Sequence, residues 1–302
     1  MNLEVVGMTE LKGKVAVISG GAEGIGLSIA IAVVKQGMKV VLGDIDAAEL
    51  RKAEQTLLDL GAEVITAKMD AAKIEDWQSL ADQAIVAFGK VHMLVNNAGV
   101  SGVPGPIEKT DHRDWQWVLD VNLLGVIYGT QTMVPLMKQH GEGGWLINVA
   151  SMAGMGGVPF AGAYTATKVA VVGMSESWYA ELQPHDIQVS VLCPAFVQTR
   201  INLSYRNKPD HYKNSDTQSK PSEKSVAMAA HMQKVIDSGL SVDIVGERVI
   251  EAIKGNELYI FTHPNYRSVV QRRSKAIDDA FARAEKSPLL AHMLDEEVVG
   301  FS

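Results

Sequence analysis

The sequence predicts an α/β protein built on a doubly wound parallel sheet, with a helical extension after the last strand. Two observations carry the prediction. Short runs of uninterrupted apolar residues recur along the chain, and longer amphipathic segments separate them. A strand covered by helices on both faces has no solvent side, so it reads as continuous apolarity rather than as alternation. Regular alternation of such strands with helices makes a parallel sheet with helices on both faces.

The elements follow in order. Residues 15–18 are the first strand, and a glycine-rich turn at 19–26 leads into a helix over 25–36. Residues 40–42 form the second strand and 47–60 the second helix, with Gly37 and Gly61 at helix-ending positions. The third and fourth strands lie at 64–65 and 93–95. A long helix spans 111–138, the fifth strand 145–149, the next helix 164–182 and the sixth strand 189–192. The rhythm then breaks. Residues 200–239 are rich in Asn, Lys, Ser, Asp and Gln around Pro209 and Pro221 and turn helical only at 227–230. An insert of that length after a strand is functional or mobile. The last strand is 258–261, and charged helical sequence follows around 272–286. The expected organisation is one domain over 1–261, carrying the 200–239 insert, and an extension over 262–302 packed on it. There is no internal repeat.

Composition excludes several classes of function. A formal net charge of −7 disfavours nucleic acid and anionic membrane as partners. The single cysteine, Cys193, lies in an apolar run and reads as a buried, inert thiol. The eight histidines show no metal-ligand spacing, so no metal site is expected. No apolar stretch is long enough to span a bilayer, and residues 1–10 lack a signal core, so a soluble, cytoplasmic protein is expected.

Chemistry is concentrated in two places. Gly20, Gly24 and Gly26 follow a strand and open a helix, where glycines permit the turn, let backbone approach a pyrophosphate, and allow close helix–strand packing. An ordinary strand-to-helix turn is the plain alternative. Asp44 ends the second strand, where a carboxylate accepts hydrogen bonds from an adenosine ribose and repels a 2′-phosphate by about 3 kcal/mol. Asp44 also suits a simple strand-end turn. Tyr164 and Lys168 stand four residues apart and share a helix face. A phenol titrates at about 10. An ammonium roughly 4–5 Å away favours the phenolate by about 3–4 kcal/mol at an effective dielectric near 20, which brings the group toward neutral pH.

The glycine-rich turn, Asn96-Asn97-Ala98-Gly99, Asn122, Ser151, Tyr164-Thr165-Ala166-Thr167-Lys168 and the run from Pro194 through Val197 to Thr199 stand in one order. Over roughly residues 10–260 that order and spacing resemble the short-chain dehydrogenase/reductase family, whose fold is the Rossmann type. The resemblance implies a catalytic set of Asn122, Ser151, Tyr164 and Lys168. Ser151 would donate to the substrate oxygen, Tyr164 exchange a proton with it, and Lys168 depress the phenol and bind the nicotinamide ribose. Asn122 would help hold a proton-relaying water. It also implies an NAD site made of Ser19, Gly20, Gly24, Ile25, Gly26, Asp44, Asp70, Ala71, Asn96, Ala98, Gly99, Tyr164, Lys168, Pro194, Val197 and Thr199. Asp70 would contact adenine, or simply cap a helix, and Asn96 is the foremost candidate of its motif for direct contact. Ala195 stands where the family has glycine, which puts the backbone there in question. Glu23, where relatives that use NADP carry a basic residue, agrees with Asp44 in pointing to NAD.

Residues 152–160, Phe196 and the 200–239 segment are expected to wall the substrate pocket. Met152, Met155, Val158, Pro159 and Phe160 suit a bulky hydrophobic secondary alcohol or ketone as the small-molecule substrate. The tail, from 258 to 267, resembles a bacterial subgroup that includes the Cα-dehydrogenases of lignin-derived aryl ethers. Relatives associate through the helices matching 111–138 and 164–182, so a homodimer or homotetramer is expected, with Trp178 and Tyr179 seeking burial. The extension is expected beside the 200–239 segment, helping to close the pocket. Two other readings remain open, an NADP(H)-preferring ketoreductase and a non-catalytic nucleotide-sensing protein. The intact tetrad speaks against the second.

Overall fold

The computed structural model describes residues 10–213, 223–298 and 300, with 223–229 as backbone only. Part of the predicted insert, 214–222, lies outside the described residues. Seven parallel strands form one sheet in the order β3-β2-β1-β4-β5-β6-β7. They are β1 (Val15–Ser19), β2 (Lys39–Asp44), β3 (Val64–Lys68), β4 (Met93–Asn96), β5 (Gly144–Val149), β6 (Ile187–Cys193) and β7 (Tyr259–Phe261).

The continuous apolar runs are explained by burial on both faces. Ala16, Ile18, Val40, Leu42, Val95 and Ile147 face α1 (Gly24–Lys35), α2 (Ala47–Asp59) and α8 (Val242–Lys254). Val15, Val17, Val41, Leu94, Leu146 and Val189 face α3 (Ile74–Phe88) and α5 (Gly125–His140). A smaller cluster joins Val126 and Val191 to Val171 and Val172 of α6 (Gly162–Leu182). Helices α1 and α8 touch closely because Gly246 has no side chain: a Cβ there would stand 2.4 Å from the Ser28 carbonyl oxygen.

The long helix expected over 111–138 is broken. Helix α4 (His112–Leu119) passes into a wide π turn, Asp120–Leu124, before α5 begins at Gly125. The extra residue in that turn carries Asn122 inward, where its side chain is fully buried. After β6 the chain makes two short 3-10 turns, Ile201–Asn207 and Asp210–Tyr212, and the described part resumes with α7 (Glu223–Asp237).

The chain divides into two compact units, Met1–Thr262 and His263–Ser302. The second contains α9 (Arg267–Ala284) and a 3-10 segment, Pro288–Asp295, with Phe281, Leu289 and Leu294 exposed. Among the described residues no helix is long and apolar enough to cross a membrane.

Candidate active site

Parallel register brings the candidate residues to one edge of the sheet. Ile18 pairs with both Leu42 and Val95, Asn96 with Asn148, and Val149 with Leu192. The strands therefore end together, and Ser19, Asp44, the 96–99 motif, Ser151 and Pro194 line their C-terminal side, the ligand side of this architecture.

The glycine-rich turn needs its glycines. Gly20 has φ +61°, and a Cβ there would lie 2.8 Å from the Ala98 Cα, while one on Gly26 would lie 2.2 Å from the Gly20 oxygen. Asn97 Nδ2 donates to the Ser19 and Gly20 carbonyls at 3.0 and 2.8 Å. The Ser19 hydroxyl accepts from the Asn97 and Ala98 amides at 3.1 and 3.2 Å. The two turns are thus laced into one floor. Glu23 occupies the N-cap of α1 but does not cap it with its side chain. The first amides of that helix, including those of Gly24 and Ile25, have no side-chain acceptor, which makes a place for an anion.

Asp44 stands between two turns. Its carboxylate accepts from the Ala22 amide at 3.1 Å and the Asp46 amide at 3.0 Å. Burial pushes this carboxyl above its usual range, and the two backbone hydrogen bonds oppose the shift. Asp70 accepts from the Ala72 amide at 3.0 Å. The N-cap of α3 is Lys73, so the helix-capping reading of Asp70 is not realised. The Ala71 oxygen accepts from Trp77 Nε1 at 3.0 Å and is closely approached by Gly125.

Asn96 differs from expectation. Its side chain is 2% exposed and donates to Thr130 Oγ1 at 3.1 Å and Asn148 Oδ1 at 2.9 Å. At the last residue of β4 the side chain points into the α5 and α6 layer, so it braces the sheet and offers the cleft no amide. Ala98 and Gly99 are the members of the motif at the open edge. A Cβ on Gly99 would stand 3.5 Å from Asn122 Oδ1 and 3.6 Å from Lys168 Nζ.

The four residues of the expected tetrad are brought together. Asn122 clasps the backbone of Val100, accepting from its amide at 2.8 Å and donating to its carbonyl at 2.9 Å. The Lys168 side chain runs inward and donates to the Val149 carbonyl at 2.9 Å, with Nζ 5.6 Å from the centre of the Tyr164 ring. The Ser151 hydroxyl lies close enough to the Tyr164 phenol to lower its proton affinity. Ser151 also accepts from the Ala153 amide at 3.1 Å and makes a long 3.5 Å contact with the Pro194 carbonyl.

The electrostatics correct one expectation. Lys168 does not draw the phenol toward neutral pH. Burial pushes Tyr164 up, with the nearby Ser151 hydroxyl opposing it, and burial brings Lys168 down to about 8. Desolvation weakens both charged forms, and the ammonium is turned to Val149. Burial likewise pushes Cys193 up to about 12, so the thiol is inert.

Pro194, Val197 and Thr199 follow β6. The Pro194 carbonyl accepts from the Met152 amide at 2.9 Å, Val197 is buried and bridges to Leu240, and the Thr199 methyl lies against Gly24. Ala195 does not adopt positive φ, so the missing glycine leaves no strain.

A cavity of about 370 Å³ opens beside Tyr164, walled by Ser101, Val103, Ile107, Trp115, Val158 and Phe160. The sequence reading named only Val158 and Phe160 of these. Met152 and Met155 pack into the core instead, and Phe196 does not line the cavity. The wall from 101 to 110 and Trp115 are not legible in the sequence, because nothing in the spacing of these residues carries chemistry. The segment after Thr199 borders the cavity: Ser204 Oγ accepts from the Ser101 amide at 3.1 Å, and buried Lys208 pairs with Asp114.

His92, His140 and Glu142 converge at the opposite edge of the sheet, with ligand-capable atoms within 4.8 Å of one another. Their atoms are already engaged. His92 Nδ1 accepts from the Val15 amide, His140 Nε2 donates to the Val91 carbonyl, and Glu142 pairs with Lys14, Lys90 and His92. Two ammonium groups on the only carboxylate make it a charge network, unsuited to a cation.

The chain matches the short chain dehydrogenase family over residues 14–210. It is 35% identical to a CLA biosynthesis dehydrogenase/reductase from Lactiplantibacillus plantarum, covering 89% of this chain and 95% of that protein. It is 33% identical to a C alpha-dehydrogenase from Sphingobium sp., over 93% of this chain and 90% of the relative. Among solved structures, a short chain dehydrogenase/reductase from Burkholderia phymatum in complex with NAD superposes with a TM-score of 0.85 at 36% identity, over 97% of this chain and 100% of that one.

Proposed function

The chain belongs to the short chain dehydrogenase family, and from that premise we propose that it moves a hydride between NAD(H) and a hydrophobic secondary alcohol or the matching ketone. The observation that carries this reading is Tyr164 at the wall of a cavity, with Lys168 buried behind the phenol and Ser151 close enough to act on its proton affinity.

The residues at the sheet edge fit the dinucleotide, because the 19–26 turn is a backbone cradle that side chains would fill. Ser19, Gly20, Gly24, Ile25 and Gly26 would hold the pyrophosphate, Asp44 the adenosine ribose, and Asp70 with Ala71 the adenine. Ala98, Gly99, Tyr164 and Lys168 would hold the nicotinamide ribose, and Pro194, Val197 and Thr199 the carboxamide. When bound, NAD supplies the acceptor for the hydride leaving the alcohol carbon.

The protein's own part is proton transfer and orientation. Ser151 donates to the substrate oxygen in place of its long contact with Pro194. Tyr164 takes the hydroxyl proton in oxidation and returns it in reduction. Since burial disfavours the phenolate, oxidation speeds up as pH rises and reduction slows. Asn122 is a positioning residue: clasping Val100, it holds the Gly99 backbone beside Lys168.

Tyr164→Phe tests the reading. Turnover should fall by orders of magnitude while NADH binding, followed by fluorescence, stays within about threefold of wild type. A variant that keeps a tenth of wild-type turnover would remove Tyr164 from this role. The walls of Trp115, Phe160, Val103 and Ile107 suit a bulky apolar substrate. Screening aryl, steroid and alicyclic secondary alcohols with NAD identifies the class.

A further inference from the structure

We propose that Glu23 sets coenzyme choice by holding two arginines, Arg200 and Arg206, out of reach of the adenosine 2′ position. The inference rests on the dinucleotide-dependent reading above and concerns residues that reading leaves unused.

Glu23 is the last residue before Gly24, and its two carboxylate oxygens take different partners. Oε2 accepts from Arg200 and Oε1 from Arg206. Arg206 Nη1 also donates to the Arg200 carbonyl at 3.1 Å, which ties the Arg206 side chain to the Arg200 backbone. Arg200 Nη2 lies 3.6 Å from Glu49 Oε1, in the first turn of α2. The Arg200 guanidinium therefore spans the turn after β1 and the turn after β2. Asp44 joins the same two turns from inside, through the amides of Ala22 and Asp46. One crevice thus has a carboxylate at its floor and tethered arginines at its mouth.

The charges around it do not balance. Asp44, Asp46, Glu23 and Glu49 are four carboxylates, and Arg200, Arg206 and Lys52, whose ammonium lies 2.9 Å from Glu49 Oε1, are three cations, a difference of 3 − 4 = −1. A ribose hydroxyl is indifferent to that field, whereas a 2′-phosphate adds about 1.5–2 further negative charges. Both arginines are already spent on Glu23. A guanidinium released from its carboxylate presents a fork that matches phosphate. Neutralising Glu23 therefore does more than remove one repulsive charge: it frees two phosphate-binding groups at the right place. Neutralising Asp44 removes a charge and leaves both arginines tied.

The test is fluorescence titration of the full chain with NADH and NADPH, for wild type, E23Q and E23Q/R200M/R206M. Glu23→Gln should shift the NADPH-to-NADH ratio of dissociation constants by about tenfold or more toward NADPH. Replacing both arginines in that background should return the ratio to within about threefold of wild type. An unchanged ratio in E23Q overturns the inference. So does a gain that persists without the arginines, because Glu23 then acts by its own charge. Wild-type NADH binding is read in the same experiment. Its absence would defeat the dinucleotide reading itself, and this inference with it.

Discussion

Lys168 is a cation kept where water cannot solvate it, and that has a thermodynamic signature. In the folded protein it titrates near 8, against 10.5 for an ordinary lysine. Between those values the unfolded chain binds more protons than the native one, so native stability rises with pH across that window. Below it both states carry the charge, and the folded state bears the full desolvation penalty. Lys168→Met should therefore abolish turnover yet stabilise the fold at neutral pH by about 1–3 kcal/mol. The gap from wild type should close as pH rises from about 8 to 10.5. Chemical denaturation at several pH values checks this, and a variant less stable at pH 7 refutes it. Tyr164, Lys168 and Ser151 are legible in the sequence because residue type and helical spacing carry their chemistry. The direction of their proton affinities is not, since burial decides it. Asn96 misleads for the same reason: an amide in a cofactor motif looks outward until its neighbours, Thr130 and Asn148, are known.

Among elements, the segment after β6 matters most, since it borders both the glycine-rich turn and the cavity. It is pinned at one end by Glu23 and at the other by α4. The Lys208 side chain is 2% exposed, pairs with Asp114, and has its ammonium 5.5 Å from the Trp117 ring and 5.3 Å from the Tyr205 ring. The Tyr212 hydroxyl donates to Asp120 at 2.8 Å. Removing one partner of a buried pair strands the other, at a cost of about 3 kcal/mol. Asp114→Asn should thus loosen the segment and raise the substrate KM several-fold, with NADH affinity changing less than twofold. An equal loss of both would mean that the pair supports the glycine-rich turn as well. Strands and most helices are legible from apolar runs alone. The break between α4 and α5 is not, because it depends on Asn122 meeting Val100 from another element. Nor is the Glu23–Arg200 contact, which the fold assembles from residues 177 positions apart.

At the scale of the whole molecule, chemistry collects at one edge of the sheet while the charge network of His92, His140 and Glu142 secures the other. Association of copies needs a third surface. Trp178 and Tyr179, expected to demand burial between subunits, already pack against this chain's own core. What α6 leaves exposed is mostly small groups, Ala166, Val169, Gly173, Ser177 and Ala180, with Val169 41% exposed, interrupted by Glu176, whose carboxylate accepts from the Tyr259 hydroxyl at 2.6 Å. Spacings of three and four residues put them on one face, and small side chains let a second helix approach closely. In a two-fold dimer such a face meets its own copy, so every change in it counts twice across the axis. Light scattering of the wild-type chain should give at least twice the 32.6 kDa of one copy. Gly173→Glu would set two like charges against each other in a desolvated contact and should weaken association by about tenfold or more. Gly173 has open space within its own chain, so the fold itself tolerates the new side chain. A wild-type monomer, or a Gly173→Glu variant as fully associated as wild type, would remove α6 as the contact.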